Sequence, residues 1–270
     1  MATRDQAATR DGRPARSGFT LVELLVVIMI IAMLAALVTP AVMRAQASAR
    51  NAQIKAEIDM LHTAMMNYKV EYGSFPPAFD TSPAGSPGLV NRHLTKLFPR
   101  ATSPIASTAQ VALVTPASAL NVWLTGYTSD PLNPITPASD RQKLFIFDQS
   151  RLASLDNSSS STFANSRFVY YASGKKRSPY IYINSAAYGP VAAPQAYTVA
   201  TYYVLSLADA ITPSPAIYRA ELQTLPAGVN FFNPDTFQIL SAGRDEQWGT
   251  DDDLSNFWPG TRKDYLDSLK

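Results

Sequence analysis

The chain divides by the spacing of its apolar positions. Residues 1–18 are polar and carry Arg4, Arg10, Arg13 and Arg16. From Phe19 to Val38 the sequence reads FTLVELLVVIMIIAMLAALV, whose clearly polar side chains are Thr20 and Glu23 alone. At about 1.5 Å per residue such a run spans roughly 30 Å, the thickness of a bilayer core, so it predicts a membrane-spanning helix. The cationic flank before it predicts that the leader stays cytoplasmic while the rest of the chain lies across the membrane. Pro40 follows, and because the helical pattern resumes beyond it a kink is predicted there rather than an end. Ile54, Ile58, Leu61, Met65, Tyr68 and Tyr72 then recur at alternating four- and three-residue steps, with Arg50, Lys55, Glu57, Asp59 and Lys69 elsewhere around the helix. That seam predicts a stripe facing the core of a following domain, in preference to a coiled coil. Gly73 is the expected C-terminal stop and Pro76-Pro77 cannot continue a helix. A helix from Phe19 to Tyr72 would be roughly 80 Å long.

Beyond Gly73 the pattern changes. All of the 20 prolines except Pro14 and Pro40 lie there, among many Ser, Thr and Ala, which predicts long loops and short regular elements. Lys143–Phe147, Arg167–Ala172, Tyr180–Asn184, Thr198–Leu205 and Phe237–Leu240 are rich in β-branched and aromatic residues and read as strands. Ser173-Gly174-Lys175-Lys176 reads as a hairpin connection between two of them. The expected fold is α+β: a long N-terminal helix packed by a small antiparallel sheet with long loops, Ser154–Ser166 and Ala186–Ala196 being insertions. The clustered Tyr170, Tyr171, Tyr180, Tyr182, Tyr202 and Tyr203 read as sheet packing, or alternatively as a binding face.

Composition narrows the chemistry. The formal net charge of +2 is too small for a nucleic-acid footprint. The leader supplies that excess, and without residues 1–18 the side-chain charges balance. With no cysteine, disulfides and thiolate metal sites are excluded, and His62 and His93 are the only imidazoles. His62 reads as a surface residue beside Leu61. No Gly-x-Ser-x-Gly elbow, His-Glu-x-x-His helix or phosphate-binding glycine loop occurs, so the chain does not read as an enzyme.

Three readings compete for the N-terminal run. A secretory signal would be shorter, and its small-x-small cut would fall at Ala45-Gln46-Ala47, inside continuing helix. A plain anchor leaves Glu23 unexplained, since a carboxylate in an apolar helix is costly in lipid and needs a partner. The third is carried by Gly18-Phe-Thr-Leu-Val-Glu23 and the apolar run after it. This stretch resembles the cleavage and methylation signature of type IV prepilins and type II secretion pseudopilins, and Pro40 adds to the likeness. The resemblance implies cleavage after Gly18 by a prepilin peptidase, Phe19 as the new methylated N-terminus, and Glu23 as the residue that guides assembly. Phe19's new amine would lie one turn from Glu23. Pairing amine and acid between neighbouring subunits would relieve two buried charges and set axial register. A rival role for Glu23 is to complement its own helix N-terminus.

The likeness extends, more loosely, into the rest of the chain. Tyr72-Gly-Ser-Phe-Pro-Pro77 resembles the turn that closes the long helix in the major pseudopilin. Asp130-Pro-Leu-Asn-Pro134 resembles that family's Asp-Pro-Trp-Gly-Asn segment without its Trp and Gly. The acidic loop 243–257 places Asp245 and Asp251–Asp253 around Gly243 and Gly249, and its hard oxygen donors suit calcium. That loop resembles the calcium loop of the major pseudopilin. Asp245, Asp251 and Asp253 are the expected ligands, with Asp252 facing solvent; the other reading is a solvated acidic turn.

The expected organisation is a leader over 1–18, a transmembrane and filament-core half-helix over 19–40, an amphipathic half-helix over 41–72, and a globular β domain over 73–270. The resemblance implies a filament subunit of a secretion pseudopilus or a type IV pilus. Its expected place is the bacterial inner membrane, crossed once, with the C-terminal domain in the periplasm. Its partners would be copies of itself and other pilin-like subunits, the prepilin peptidase, and an inner-membrane assembly platform with an ATPase. The alternative is a membrane-anchored adhesin that never polymerises.

Overall fold

The computed structural model describes residues 19–79, 88–102, 104–106, 114–135, 140–154, 168–172, 178–188, 196–198, 217–225 and 228–270. Two compact units divide the chain, Met1–Gln46 and Ala47–Lys270. The boundary falls inside one helix, α1 (Leu21–Tyr72), which is 52 residues long and continues through Pro40. The Thr39 hydroxyl just before that proline donates to the Ala35 carbonyl at 2.6 Å.

The end of α1 follows the sequence. Gly73 adopts φ +78, a left-handed conformation that glycine enters without a Cβ penalty, and its amide donates to Lys69 O at 2.8 Å. The prolines after it are tied down through their carbonyls. Tyr182 Oη donates to Pro76 O at 2.8 Å and Trp123 Nε1 donates to Pro77 O at 2.9 Å.

Within the second unit the seam of α1 is the spine of the core. Ile54, Ile58, Leu61, Met65 and Tyr68 are buried, joined by Ala64 and, unexpectedly, by Glu57. Besides the C-terminal helix Arg262–Ser268, two short helices lie in the same unit among the described residues. One is α2 (Leu89–Leu97); the other, Ala119–Leu124, has all six of its residues buried.

The strands form small antiparallel sheets, as expected for an α+β chain. The largest has the order β3 (Ile181–Asn184), β8 (Phe237–Ser241), β9 (Leu254–Ser255), with Ile181 opposite Leu240 and Ser241 opposite Leu254. All five residues of β8 are buried, which marks it as the central strand. Its one long polar side chain, Gln238, is satisfied by Glu221 N at 2.7 Å, Glu221 O at 3.0 Å and Phe232 O at 2.8 Å. The remaining pairs are β1 (Leu152–Ser154) with β2 (Phe168–Tyr170), β4 (Ala196–Thr198) with β5 (Ile217–Arg219), and β6 (Leu222–Leu225) with β7 (Gly228–Phe231).

Two strand expectations are corrected. Lys143–Phe147 is not a strand: Gln142 N bonds Tyr127 O, while Leu144 N and Phe145 N both bond Leu124 O. Two adjacent amides of the segment are spent on the last carbonyl of a helix, which breaks the alternation that a ladder needs. The strands either side of Ser173–Lys176 do not form a hairpin ladder either. They meet at one bridge, Tyr171 with Pro179, and β3 turns to β8 instead. Residues 173–176 themselves, most of Thr198–Leu205 including Tyr202 and Tyr203, and the middles of the two expected insertions lie outside the described residues. Tyr170, Tyr171, Tyr180 and Tyr182 are buried, so they pack the core and offer no binding face.

Candidate assembly site

The first unit contains no core of its own among its described residues. Every side chain from Phe19 to Gln46 is exposed, including Phe19 (77%), Leu21 (78%) and Leu37 (70%). An apolar surface of that size is unstable in water and has to be covered by lipid or by other protein. Among the described residues, α1 is the one helix long and apolar enough to cross a membrane.

The helix start explains the two polar residues of the run. Thr20 precedes the first helical residue and Glu23 is the third inside. Glu23 N donates to Thr20 Oγ1 at 3.2 Å, while the Thr20 amide and hydroxyl donate back to Glu23 Oε2 at 2.9 and 2.8 Å. This is a capping box, in which each residue satisfies the other's free backbone donor. The role of Glu23 at its own helix N-terminus is therefore realised within the single chain. Phe19 precedes the box and is exposed; Gly18 and the leader lie outside the described residues.

Glu57 is a structural residue of the helix that sequence reasoning missed. Its carboxylate is buried and accepts Arg151 Nη1 at 2.7 Å, Tyr170 Oη at 2.6 Å and Tyr180 Oη at 2.5 Å, with Arg151 Nη2 closing a bidentate pair. Arg151 Nε also donates to Tyr171 O at 2.9 Å, and its guanidinium lies 4.5 Å from the Tyr170 ring centroid. Burial pushes the Tyr180 phenol well above its usual range and the Glu57 charge reinforces the shift, so Tyr180 acts as a donor throughout. The network locks the domain to α1 at one position along the helix. A single acid between Ala56 and Ile58, on the edge of the seam, was the available signal.

The imidazoles are structural. His93 is buried, with Nε2 at 2.8 Å from Tyr68 Oη, which in turn lies 2.6 Å from Tyr127 Oη. Burial, aided by Lys96, pulls the His93 pKa down to about 4. His62 is not a free surface residue: it is half-buried, 2.9 Å from Asn256 Nδ2, with its ring 5.1 Å from that of Phe237.

In the acidic loop the roles of the aspartates differ from expectation. Asp245 and Asp251 are exposed, and Asp253 is buried, accepting Gly249 N at 2.7 Å. Asp252, expected to face solvent, is half-buried and turns its carboxylate into the loop. It accepts Arg244 N at 2.8 Å, Asp245 N at 3.0 Å and Thr250 Oγ1 at 2.8 Å, closing the loop on itself. Burial opposes its charge, but these bonds hold its carboxyl below the usual range. Burial, with Glu221 and Asp252 nearby, pushes Asp253 up to about 7. Among the described residues no three carboxylate or imidazole side chains converge as a metal-ligand set. Asp245, Asp251 and Asp253 share a loop but are not gathered into a preformed calcium site.

Residues 13–39 match the prokaryotic N-terminal methylation motif. Together with the long apolar helix, the match fits a prepilin-like protein: a structural subunit, processed by a prepilin peptidase and assembled with other pilin-type subunits. No curated protein and no solved structure matches the chain.

Proposed function

We propose that this chain is a type II secretion pseudopilin, cut after Gly18, methylated at Phe19, and assembled into a periplasmic pseudopilus through its N-terminal helix. One observation carries the reading: the methylation motif coincides with the start of a helix whose apolar residues from Phe19 to Met43 are exposed. In the assembled state neighbouring helices cover them. The cationic Phe19 amine of one subunit meets Glu23 of another, and the two charges are satisfied together only at one axial offset. Pro40 lets the helix adjust between the filament core and the head. Residues 1–18 are the leader, 19–40 the filament-core half of the helix, 41–72 its amphipathic half, and 73–270 the head.

The subunit crosses the inner membrane once, with its head in the periplasm, and is extracted by an assembly platform driven by an ATPase. The turn closing α1 supports the secretion reading, because the resemblance at Tyr72–Pro77 is to the major pseudopilin. The burial of Tyr170, Tyr171, Tyr180 and Tyr182 counts against the display-adhesin reading, which would have used them as a binding face. The test is twofold. Mass analysis of the purified protein should find a methylated Phe19 at its start, and Glu23→Val should be processed and membrane-held but absent from sheared filaments. A protein that begins at Met1, or filaments that form normally from the Glu23→Val variant, would overturn the reading.

A further inference from the structure

The second unit leaves two surfaces uncovered, each with exposed apolar side chains beside polar ones. On α1, Asp59, Met60, Thr63 and Asn67 recur at helical spacing and are exposed, and with Leu144 and Phe145 they bound an open groove of about 390 Å³. Met60 is 54% exposed, and Ile146, next after Phe145, is 84% exposed. The groove is too open to engulf a small molecule and suits side chains presented by another surface. Asp59 on its wall gives one oxygen to Lys55 at 2.9 Å and keeps 57% of its side chain in solvent.

The other surface is the C-terminal helix Arg262–Ser268. A complete capping box of Thr261 and Asp264 fixes its start, yet none of its residues is buried. Tyr265 stacks on Trp258 and meets the edge of Phe232, which holds the helix to the domain by one face. Leu266 and Leu269 stay exposed three residues apart, and Lys263 one turn before Leu266 is exposed as well. Apolar anchors at i and i+3 are how a helix docks into a groove.

We infer that these two surfaces belong to one contact between copies of this chain: Leu266 and Leu269 of one copy seat in the groove over Met60 and Phe145 of the next, with Lys263 facing Asp59. Both surfaces are exposed in the same chain, so a second copy can present the one to the other. The apolar pair meets Met60, Leu144 and Phe145, and the base meets an acid. The two patches are also different surfaces, so the contact is head-to-tail and propagates into an open helical polymer unless it closes into a ring. The contact rests on the filament reading and adds to it a second set of bonds, outside the membrane.

The chain has no native cysteine, so paired cysteines report the contact cleanly. Met60→Cys with Leu266→Cys, in the full chain in its membrane, should give a ladder of multimers with a short bis-maleimide; either substitution alone should not. Leu266→Asp with Leu269→Asp should lower filament yield at least tenfold without changing N-terminal processing or the melting temperature of residues 47–270. Asp59→Lys should weaken assembly, and adding Lys263→Asp should restore it. Filaments without a ladder refute this contact and leave the pseudopilin reading standing. A ladder without filaments supports the contact and counts against that reading, and the absence of both overturns the two together.

Discussion

The buried Glu57–Arg151 pair allows a prediction with a magnitude. The Arg151 side chain is 19% exposed and that of Glu57 10%, so removing the guanidinium leaves a carboxylate that water barely reaches. Breaking such a pair from one side costs about 3–5 kcal/mol. Two phenols still donate to Glu57 after the change, at 2.6 and 2.5 Å, which places Arg151→Met toward the lower end. Combining Arg151→Met with Glu57→Gln removes both charges while keeping an acceptor for one tyrosine. That double variant should be more stable than Arg151→Met alone, because the stranded charge is gone. Residues 47–270 suit the measurement, since the core from Ile54 to Leu254 lies entirely inside them. Urea unfolding followed by tryptophan fluorescence would give the difference. A loss below about 1 kcal/mol for Arg151→Met, or a double variant as damaged as the sum of its parts, would refute the role given to the pair. Lys270→Met, which breaks a well-exposed pair, is the control and should leave the midpoint unchanged.

Other outcomes follow from single residues. His93 is held neutral in the fold with a pKa of about 4 against an ordinary 6.5, so the unfolded chain takes up its proton first as pH falls. Stability should therefore drop by about 3 kcal/mol between pH 6.5 and 4 relative to His93→Gln, compared by urea midpoints at each pH. The comparison with the variant removes the opposite trend from Asp253, which is raised and favours the fold as pH falls. Asp252→Ala should cost about 1–2 kcal/mol because it strips two amides and a hydroxyl of their acceptor, whereas Asp251→Ala should leave the melting curve in place. Gly73→Ala should destabilise by about 1 kcal/mol through its positive φ alone, since no atom lies near enough to clash. Thr20→Val should speed amide exchange at Glu23 in the micelle-bound chain, and unchanged exchange would deny the capping box a role.

Much of this was legible because local rules governed it. The α1 seam shows in the sequence since helical period and burial agree, and Gly73 marks its end since few residues tolerate that backbone. The strands at Phe168–Tyr170, Ile181–Asn184 and Phe237–Ser241 announce themselves by β-branched and aromatic side chains, most of them buried. What escaped depends on distant partners. Glu57 looks like any surface acid until Arg151 and two tyrosines arrive from far along the chain. Lys143–Phe147 has strand composition, but the carbonyl of Leu124 claimed its amides. The capping box at Thr20 and Glu23 is readable as Thr-x-x-Glu before an apolar run, yet an acid in apolar surroundings points first to a partner in another chain and only then to one three residues away.

That box bears on reversibility. In the assembly proposed above, Glu23 does not wait stripped of company for a neighbour's amine; it leaves one set of donors for another. The donors it leaves belong to Thr20 of its own chain, so a subunit that falls back out of the polymer can re-form its own turn at once. A subunit released from such a fibre would meet the bilayer with the start of its helix already satisfied.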